Sequence, residues 1–428
     1  MASVVEERPQ RGGSLAAFQH RSYTIFWLGA LISSTGTWLG NLTVPYVLYQ
    51  ATGSALWVGW AAAAQFAPAF LLAPLGGSLA DTRDRRRLLM STQGALGIIA
   101  LLMWLQWASG LHEPLVLIGL LTLFGIFNGI NNPAWQSLVN DLVPREHVQS
   151  AVTLNSLQFN MARAVGPAIA GLLLATLGAT WAFFFNAVSF ALVLVALLYV
   201  RQHRTRAIAF ASGRFIRQWR EALGFLWTSR PIALAILLCC VVGLFGNPIF
   251  NLTVVFAEEV FHTGPVGLGL LTACLGLGAV MYAVVTAFLR GQGQRVGRNT
   301  SVAIAALGAT LIAMGVVPSL AGGMVVAAAV GAAFLASFAN LNSAIQLLAP
   351  DQLRGRVLAF RHMVFSASLA LGVVIGGALS DHWGVQVATI TFGTILIATT
   401  LVVLAWRDRG FASLDLGPHR PPPAVPVE

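Results

Sequence analysis

Long apolar runs, each near the length needed to cross a lipid bilayer, dominate this sequence. A membrane-spanning helix needs about 20 mostly apolar residues, and twelve such runs occur in two sets of six. The first set lies at about 23–49, 57–80, 88–109, 114–137, 153–177 and 180–200. The second set lies at about 231–257, 266–289, 300–318, 322–348, 362–380 and 384–406. The pattern predicts an all-α integral membrane protein in which twelve transmembrane helices form two six-helix bundles.

The composition excludes several other classes of protein. Charged residues make up 9% of the chain, against about 25% in soluble domains, and the hydrophobic share of 57% argues against disorder. The three cysteines, Cys239, Cys240 and Cys274, lie inside apolar runs and form no metal-binding spacing with histidine. No phosphate-binding loop of the G-x-x-x-x-G-K-[ST] type is present. We therefore expect neither an enzyme nor an ATP-driven pump, and no cofactor or metal site.

The positions of the basic residues predict the orientation in the membrane. All 25 basic residues are arginines, and 24 of them fall in segments on one side of the twelve-span topology. Short cytoplasmic loops collect arginine and lysine, so both termini are predicted to be cytoplasmic in a multi-pass protein of the plasma (inner) membrane. The net charge of +10 thus reflects topology, and we expect the lipid bilayer and a small molecule as partners, not nucleic acid.

The polar segment 201–230 divides the chain. We predict a cytoplasmic tail at 1–22, a first bundle at 23–200, a linker at 201–230, a second bundle at 231–406 and a disordered cytoplasmic tail at 407–428. Within the linker, Phe215, Trp219 and Leu223 recur at helical spacing beside arginines. This favours a helix lying on the cytoplasmic membrane surface, although a plain charged linker remains an alternative.

A weak internal repeat relates the two halves. A shift of 206 residues places Pro144 on Pro350, Gly166 on Gly372, Gly171 on Gly377 and Gly178 on Gly384. Duplicated halves are common in membrane transporters. The coincidences fall on spans five and eleven, as a duplication of six spans requires.

The loop after span two, GGSLADTRDRRR, places an acidic residue at a helix end directly before an arginine cluster. Asp81, Arg85 and Arg86 can form charge-assisted hydrogen bonds with neighbouring helix ends and latch one side of a two-state protein. The alternative is that the arginines only set the topology.

This loop resembles the signature G-x-L-A-D-r-x-G-R-R of the major facilitator superfamily. The matching residues are Gly77, Leu79, Asp81, Arg85 and Arg86, while Asp84 stands where the family usually has glycine. The resemblance implies a major facilitator fold and a cytoplasmic gate that includes Gly77, Asp81, Arg85 and Arg86. The departure at Asp84 puts the tight turn of the loop in question.

Span five contains ARAVGPAIAG, which is similar to the exporter motif G-x-x-x-G-P-x-x-G-G of that superfamily. Gly166, Pro167 and Gly171 match, and alanines replace two glycines. Small residues at this spacing let two helices approach closely, and an internal proline permits a bend. Ordinary close packing in lipid is the alternative.

The surrounding sequence, LVPREHVQSAVTLNSLQFNMARAVGP, looks like the branch called transmembrane secretion effectors. The resemblance implies a secondary active transporter that works by alternating access. We expect a proton-coupled exporter of siderophore-like or drug-like small molecules that functions as a monomer. An importer of a small metabolite and a non-transporting membrane sensor are the alternatives. Span four reads LFGIFN before Gly129 and lacks the arginine of drug/proton antiporters, so their proton relay is not transferred here.

Polar side chains inside the spans are candidates for the cavity wall, because they are costly in lipid. Some of them are expected to be hydrogen-bonding contacts between helices, and we expect half at most to line a path. The candidates are Asn41, Gln65, Asn128, Asn131, Asn132, Asn160, Asn186, Asn247, Asn251, Asn340, Asn342 and Gln346. Aromatic residues such as Phe66, Trp135 and Phe250 suit a large, partly apolar substrate.

Arg163 is the one arginine that this topology places inside a span, about a third of the way in from the cytoplasmic side. It shares a helical face with Asn160, Gly166 and Pro167. We expect Arg163 to line the cavity and bind an anionic or carbonyl-rich group of the substrate. Snorkelling to the membrane surface with a purely structural role is the alternative.

Overall fold

Twelve long helices make up the protein, as seen in a computed structural model that describes residues 15–200, 224, 229–288, 295–350, 353–406 and 410–415. The first six are α1 (Arg21–Thr52), α2 (Ala55–Thr82), α3 (Arg85–Ala108), α4 (Pro114–Asp141), α5 (Val148–Leu177) and α6 (Ala179–Tyr199). The second six are α7 (Arg230–Val260), α8 (Gly264–Phe288), α9 (Val296–Val316), α10 (Leu320–Leu348), α11 (Arg354–Trp383) and α12 (Val385–Ala405). Their bounds follow the predicted apolar runs.

Eleven of these helices, all except α1, are long and apolar enough within the described residues to cross a membrane. The exception, α1, has 32 residues and contains Pro45 along with many serine, threonine and glycine residues. In α7, the π-helical segments Val242–Gly246 and Phe256–Val260 interrupt the α-helical hydrogen bonding. Wider turns of this kind often occur at functional positions in helices.

The helix ends define two faces of the molecule. Because α1 to α12 alternate in direction, Arg85, Arg145, Arg295 and Arg354 lie at one face, which we call the arginine face. The other, which we call the opposite face, carries the acidic residues Glu113, Glu258, Glu259 and Asp381. Of the segment 201–230, in which a surface helix is predicted, the structure describes only Gly224, Ser229 and Arg230, so the predicted helix is not tested.

The position of Arg361 differs from the one predicted from the sequence. We expected it in a loop before span eleven, but α11 begins at Arg354, and Arg361 lies two turns inside the helix with only 5% of its surface exposed. Its guanidinium lies 4.7 Å from the ring centroid of Phe338. Its Nε and Nη1 atoms have no hydrogen-bond acceptor among the described residues.

The predicted disorder of the tail 407–428 is wrong for residues 410–415. Phe411 and Leu414 are buried against the second six helices, in the short helix Phe411–Leu414. The Asp415 carboxylate accepts a hydrogen bond of 2.8 Å from the backbone N–H of Gly297 in the first turn of α9. Apolar anchors and a helix cap therefore order this segment, and the rest of the predicted tail lies outside the described residues.

The two sets of helices repeat each other's packing. The contacts of α2 with α4, α3 with α4 and α3 with α6 recur as α8 with α10, α9 with α10 and α9 with α12. Gly178 and Gly384, paired by the shift of 206 residues, both have a positive φ, of 81° and 84°, which favours glycine. The glycines paired by the repeat therefore have equivalent structural roles.

Candidate transport cavity

A wide cavity of about 1210 Å³ lies between the two sets of helices and reaches the arginine face. Asn140 at the end of α4 and Gly355 and Arg356 at the start of α11 line its mouth. Toward the opposite face it meets a smaller space of about 210 Å³, and Trp38, Asn41, Gln65 and Phe66 line both. Together they form a path that starts at the arginine face and passes the middle of the bundle.

Nine of the twelve polar candidates line this path, a larger share than expected. They are Asn41, Gln65, Asn128, Asn131, Asn132, Asn160, Asn186, Asn247 and Asn251. Asn340, Asn342 and Gln346 of α10 do not line either space, and Asn340 interacts with the Tyr282 hydroxyl of α8. The first six helices therefore supply most of the polar wall.

Several of these amides are already engaged with the protein. Gln65 donates a hydrogen bond of 3.1 Å from Nε2 to Oδ1 of Asn41. Asn131 is buried, and its Oδ1 accepts hydrogen bonds from the Thr92 hydroxyl at 2.9 Å and Gln93 Nε2 at 3.2 Å. Asn131 therefore joins α4 to α3 and offers less to a ligand than its neighbours do.

Arg163 lies at the midpoint of α5, whereas the predicted span placed it about a third of the way in. The helix begins at Val148, earlier than predicted, so Arg163 lies about 21–23 Å from either end of α5. Its guanidinium lines the smaller space and is 5.7 Å from the ring centroid of Phe250 in α7. The side chain points into the path and contacts the other half of the protein.

The opposite face is closed by α2 packed against α11. The Asp381 carboxylate at the end of α11 accepts hydrogen bonds from the backbone N–H groups of Ala55 at 2.6 Å and Leu56 at 3.2 Å, and from the Ser54 hydroxyl. These amides form the first turn of α2, where a negative charge is favourable. Asp381 therefore caps a helix of the other half.

Close backbone contacts at two glycines complete the closure. A Cβ atom added to Gly171 of α5 would lie 2.8 Å from Cα of Gly269 in α8, and one added to Gly377 of α11 would lie 2.4 Å from the carbonyl oxygen of Ala55. These separations leave no room for a side chain. We call the contacts of α2 with α11 and of α5 with α8 on this face the seam.

Two further carboxylates join the two halves at the opposite face, between α1 and α7. The Tyr49 hydroxyl of α1 donates a hydrogen bond to the Glu259 carboxylate, and Gln50 Nε2 donates one of 3.0 Å to that of Glu258. As at Asp381, the carboxylate comes from the second half and the donors come from the first.

Gly166 contacts a different helix from the one that Pro167 and Gly171 contact. A Cβ atom on Gly166 would lie 2.6 Å from Cβ of Trp38, so this glycine lets α5 approach α1 within the first half. A Cβ atom on Gly269 would lie 2.9 Å from the carbonyl oxygen of Pro167. The span-five motif therefore serves two helix contacts, and only one belongs to the seam.

The loop between α2 and α3 binds to its own half. Arg85 Nη1 pairs with the Asp141 carboxylate of α4 at 2.7 Å, and Arg86 donates to the carbonyl oxygens of Leu197 and Leu198 at the end of α6. Asp81 is exposed, and a Cβ atom on Gly77 would contact nothing within 4 Å. Among the described residues, the side-chain hydrogen bonds of Arg85 and Arg86 all stay within the first half.

Asp84 explains how the loop turns without the family's glycine. Its φ of −61° is ordinary for any residue, and its side chain caps α3 by accepting a hydrogen bond of 2.8 Å from the Arg87 N–H. The substitution therefore preserves the turn with a helix cap.

Sequence reasoning missed four contributors to the site. His362 lines the wide cavity, Asp141 pairs with Arg85, Gly269 faces Gly171, and Asp381 caps α2. The run GLGLLTACLGLG in span eight shows the small-residue spacing that makes Gly269 a candidate. No local pattern identifies the partners of Asp141 or Asp381, because each partner lies on a helix distant in the sequence.

Comparisons with known proteins identify the family of this chain. A family model described as transmembrane secretion effector matches residues 12–428. The multidrug efflux pump Tap of Mycobacterium tuberculosis is 26% identical over 408 residues, which cover 91% of this chain and 94% of Tap. The enterobactin exporter EntS of Citrobacter koseri is 24% identical over 426 residues, 95% of each chain.

Solved structures support the fold independently. The POT family transporter PepTSo aligns with a TM-score of 0.73 at 12% identity, over 92% of this chain and 99% of that one. At this identity the likeness concerns the fold alone. The fold predicted from the sequence is confirmed.

Proposed function

The chain belongs to the transmembrane secretion effectors of the major facilitator superfamily, and from this premise we propose that it is a proton-coupled exporter of siderophore-like or drug-like small molecules. It works by alternating access, as a monomer with no cofactor besides the coupled proton, and catalyses no chemical reaction. The observation that carries the proposal is the path open at the arginine face and sealed at the opposite face.

The orientation follows from charge. Arginine-rich loops remain in the cytoplasm, so the arginine face is cytoplasmic, both termini lie inside, and the protein resides in the plasma (inner) membrane. The described conformation then loads substrate from the cytoplasm. Release requires the seam to part and the arginine face to close, with the loop of Asp81, Arg85 and Arg86 as the cytoplasmic gate.

The test uses inverted membrane vesicles, whose lumen corresponds to the outside of the cell. We expect vesicles with an acidic lumen to accumulate enterobactin or tetracycline without ATP, and the accumulation to stop when nigericin collapses the pH gradient. The Asp81→Asn variant should insert normally and lose most of this activity, because the gate loses its only charge on α2.

Asp84→Asn is the matched control, since it removes the neighbouring charge but keeps a residue that caps helices well; its accumulation should equal that of the wild type. Accumulation in intact cells instead of inverted vesicles would establish the importer. Absence of any flux, with the protein correctly inserted, would favour the sensor and overturn the proposal.

A further inference from the structure

The path through the protein has cationic but no anionic side chains among its described lining residues. The cations are Arg163 in the smaller space and Arg356 in the wide cavity, which the imidazole of His362 also lines. The remaining polar lining consists of amides and hydroxyls, with no aspartate or glutamate. A cationic substrate would therefore leave water without meeting a countercharge, which is unfavourable in a low-dielectric site.

The acidic residues of the described chain lie at its two faces. Asp81, Asp84, Asp141, Glu146 and Asp415 lie at the arginine face, and the opposite face has Glu113, Glu258, Glu259 and Asp381. Asp141, the acidic residue nearest the mouth in sequence, is paired with Arg85. Arg163, at the middle of α5, lies about four helical turns from either end of that helix.

Arg163 also keeps unused hydrogen-bonding capacity. Among the described residues its guanidinium lies 5.7 Å from the ring centroid of Phe250, and its N–H donors make no hydrogen bond or ion pair. The donors form a fork that matches a carboxylate, sulfonate or phosphate oxygen pair. Trp38, Phe66 and Phe124 line the same space and offer aromatic surface beside the charge.

We propose that the cavity binds an anionic aromatic small molecule, with its acidic group on Arg163 and its ring among Trp38, Phe66 and Phe250. This inference rests on the proposed export function and specifies its substrate class. Export of such an anion moves negative charge out of a cell whose interior is negative. For each negative charge on the substrate, a membrane potential of 100 mV raises the equilibrium ratio of its outside to its inside concentration about 50-fold, in addition to any proton coupling.

The binding test compares three probes with the same ring system and different charge. They are 2-naphthalenesulfonate, the neutral 2-naphthalenesulfonamide and the cationic (2-naphthylmethyl)trimethylammonium, and the sulfonate keeps its charge at every pH used. With purified full-length protein, we expect the sulfonate to bind most tightly and the cation least.

Variants of Arg163 locate the effect. Arg163→Gln should weaken sulfonate binding about 10- to 100-fold, the range for loss of a charged hydrogen bond, and should leave sulfonamide binding unchanged. Arg163→Lys should retain part of the sulfonate affinity, because it keeps the charge but not the fork. Arg298→Gln removes an exposed arginine that does not line the path and should change nothing.

A flux measurement tests the electrical consequence. In proteoliposomes without a pH gradient, a lumen-positive potential set by potassium and valinomycin should accelerate uptake of the sulfonate through molecules oriented as in inverted vesicles. Equal affinity for the three probes, or an unchanged sulfonate affinity in Arg163→Gln, would overturn the proposal. Efflux restricted to cations would overturn the anionic substrate class and leave the exporter function intact. Sulfonate binding without any flux would support the anionic substrate class and overturn the exporter function.

Discussion

The Asp381 carboxylate joins the two halves of the protein at the opposite face. It is bound to the first turn of α2 only while the opposite face is closed, because its helix and its partners belong to different halves. Interactions of a carboxylate with a helix N-terminus contribute about 0.3–1 kcal/mol when exposed to solvent. A contribution of about 1 kcal/mol changes the ratio of molecules with the opposite face closed to molecules with it open roughly fivefold.

We predict that Asp381→Asn opens the opposite face more often. Asparagine can still accept a hydrogen bond but lacks the charge. In a variant without the native cysteines, a cysteine placed at Thr272 in the smaller space should react about fivefold faster with an impermeant thiol reagent supplied from the opposite face.

Glu113→Gln is the matched control for this experiment. It removes a charge from the same face at an exposed position whose side chain does not cap its helix. Its labelling rate should equal that of the parent, and an Asp381→Asn rate that also equals the parent would assign Asp381 no part in closure.

At the scale of elements, the seam depends on helices that approach through glycine. Gly171 and Gly377 occupy corresponding places in the repeat, and each contacts the backbone of the other half. The sequence motif identified the helix that makes this contact but not its partner. The motif predicts close approach, whereas the partner is fixed by the packing of α5 against α8 in the complete fold.

We predict that Gly171→Leu abolishes transport while the protein still inserts. The added side chain would overlap α8, so the opposite face could not close, and the Thr272 cysteine should become permanently reactive from that face. Gly119→Leu, on α4, is the control, since a Cβ atom there meets no atom within 4 Å. Normal transport by a well-expressed Gly171→Leu variant would show that the glycine contact is dispensable.

For the molecule as a whole, the apolar runs and the arginines predict most of the architecture. Run length sets the helix bounds, because a bilayer imposes its thickness on every span. Arg361 escaped this reasoning, since a cation at the end of an apolar run is equally compatible with a loop and with a buried position beside Phe338. The contact of Asp381 with α2 was not predicted either, because contacts between helices distant in the sequence leave no periodic pattern in it.

The membrane orientation is testable on the same scale. In the cysteine-free background, Ser109→Cys on the opposite face should react with an impermeant thiol reagent in intact cells, and Glu146→Cys on the arginine face should react only after the cells are opened; both positions are exposed. The reverse pattern would invert the topology and the direction of transport.

The small residues of the seam also have a thermodynamic consequence. When α5 and α8 separate at Gly171 and Gly269, water reaches backbone atoms and no side-chain carbon of these two residues. Because little apolar area is exposed there, the unfavourable hydrophobic free energy of separating the helices at this contact is small. Glycine also has no side-chain rotamers to immobilise when the contact forms again. This contact therefore contributes little to the free-energy difference between the states with the opposite face closed and open. A modest bias from a bound molecule or an ion gradient is then enough to move the protein between these two states.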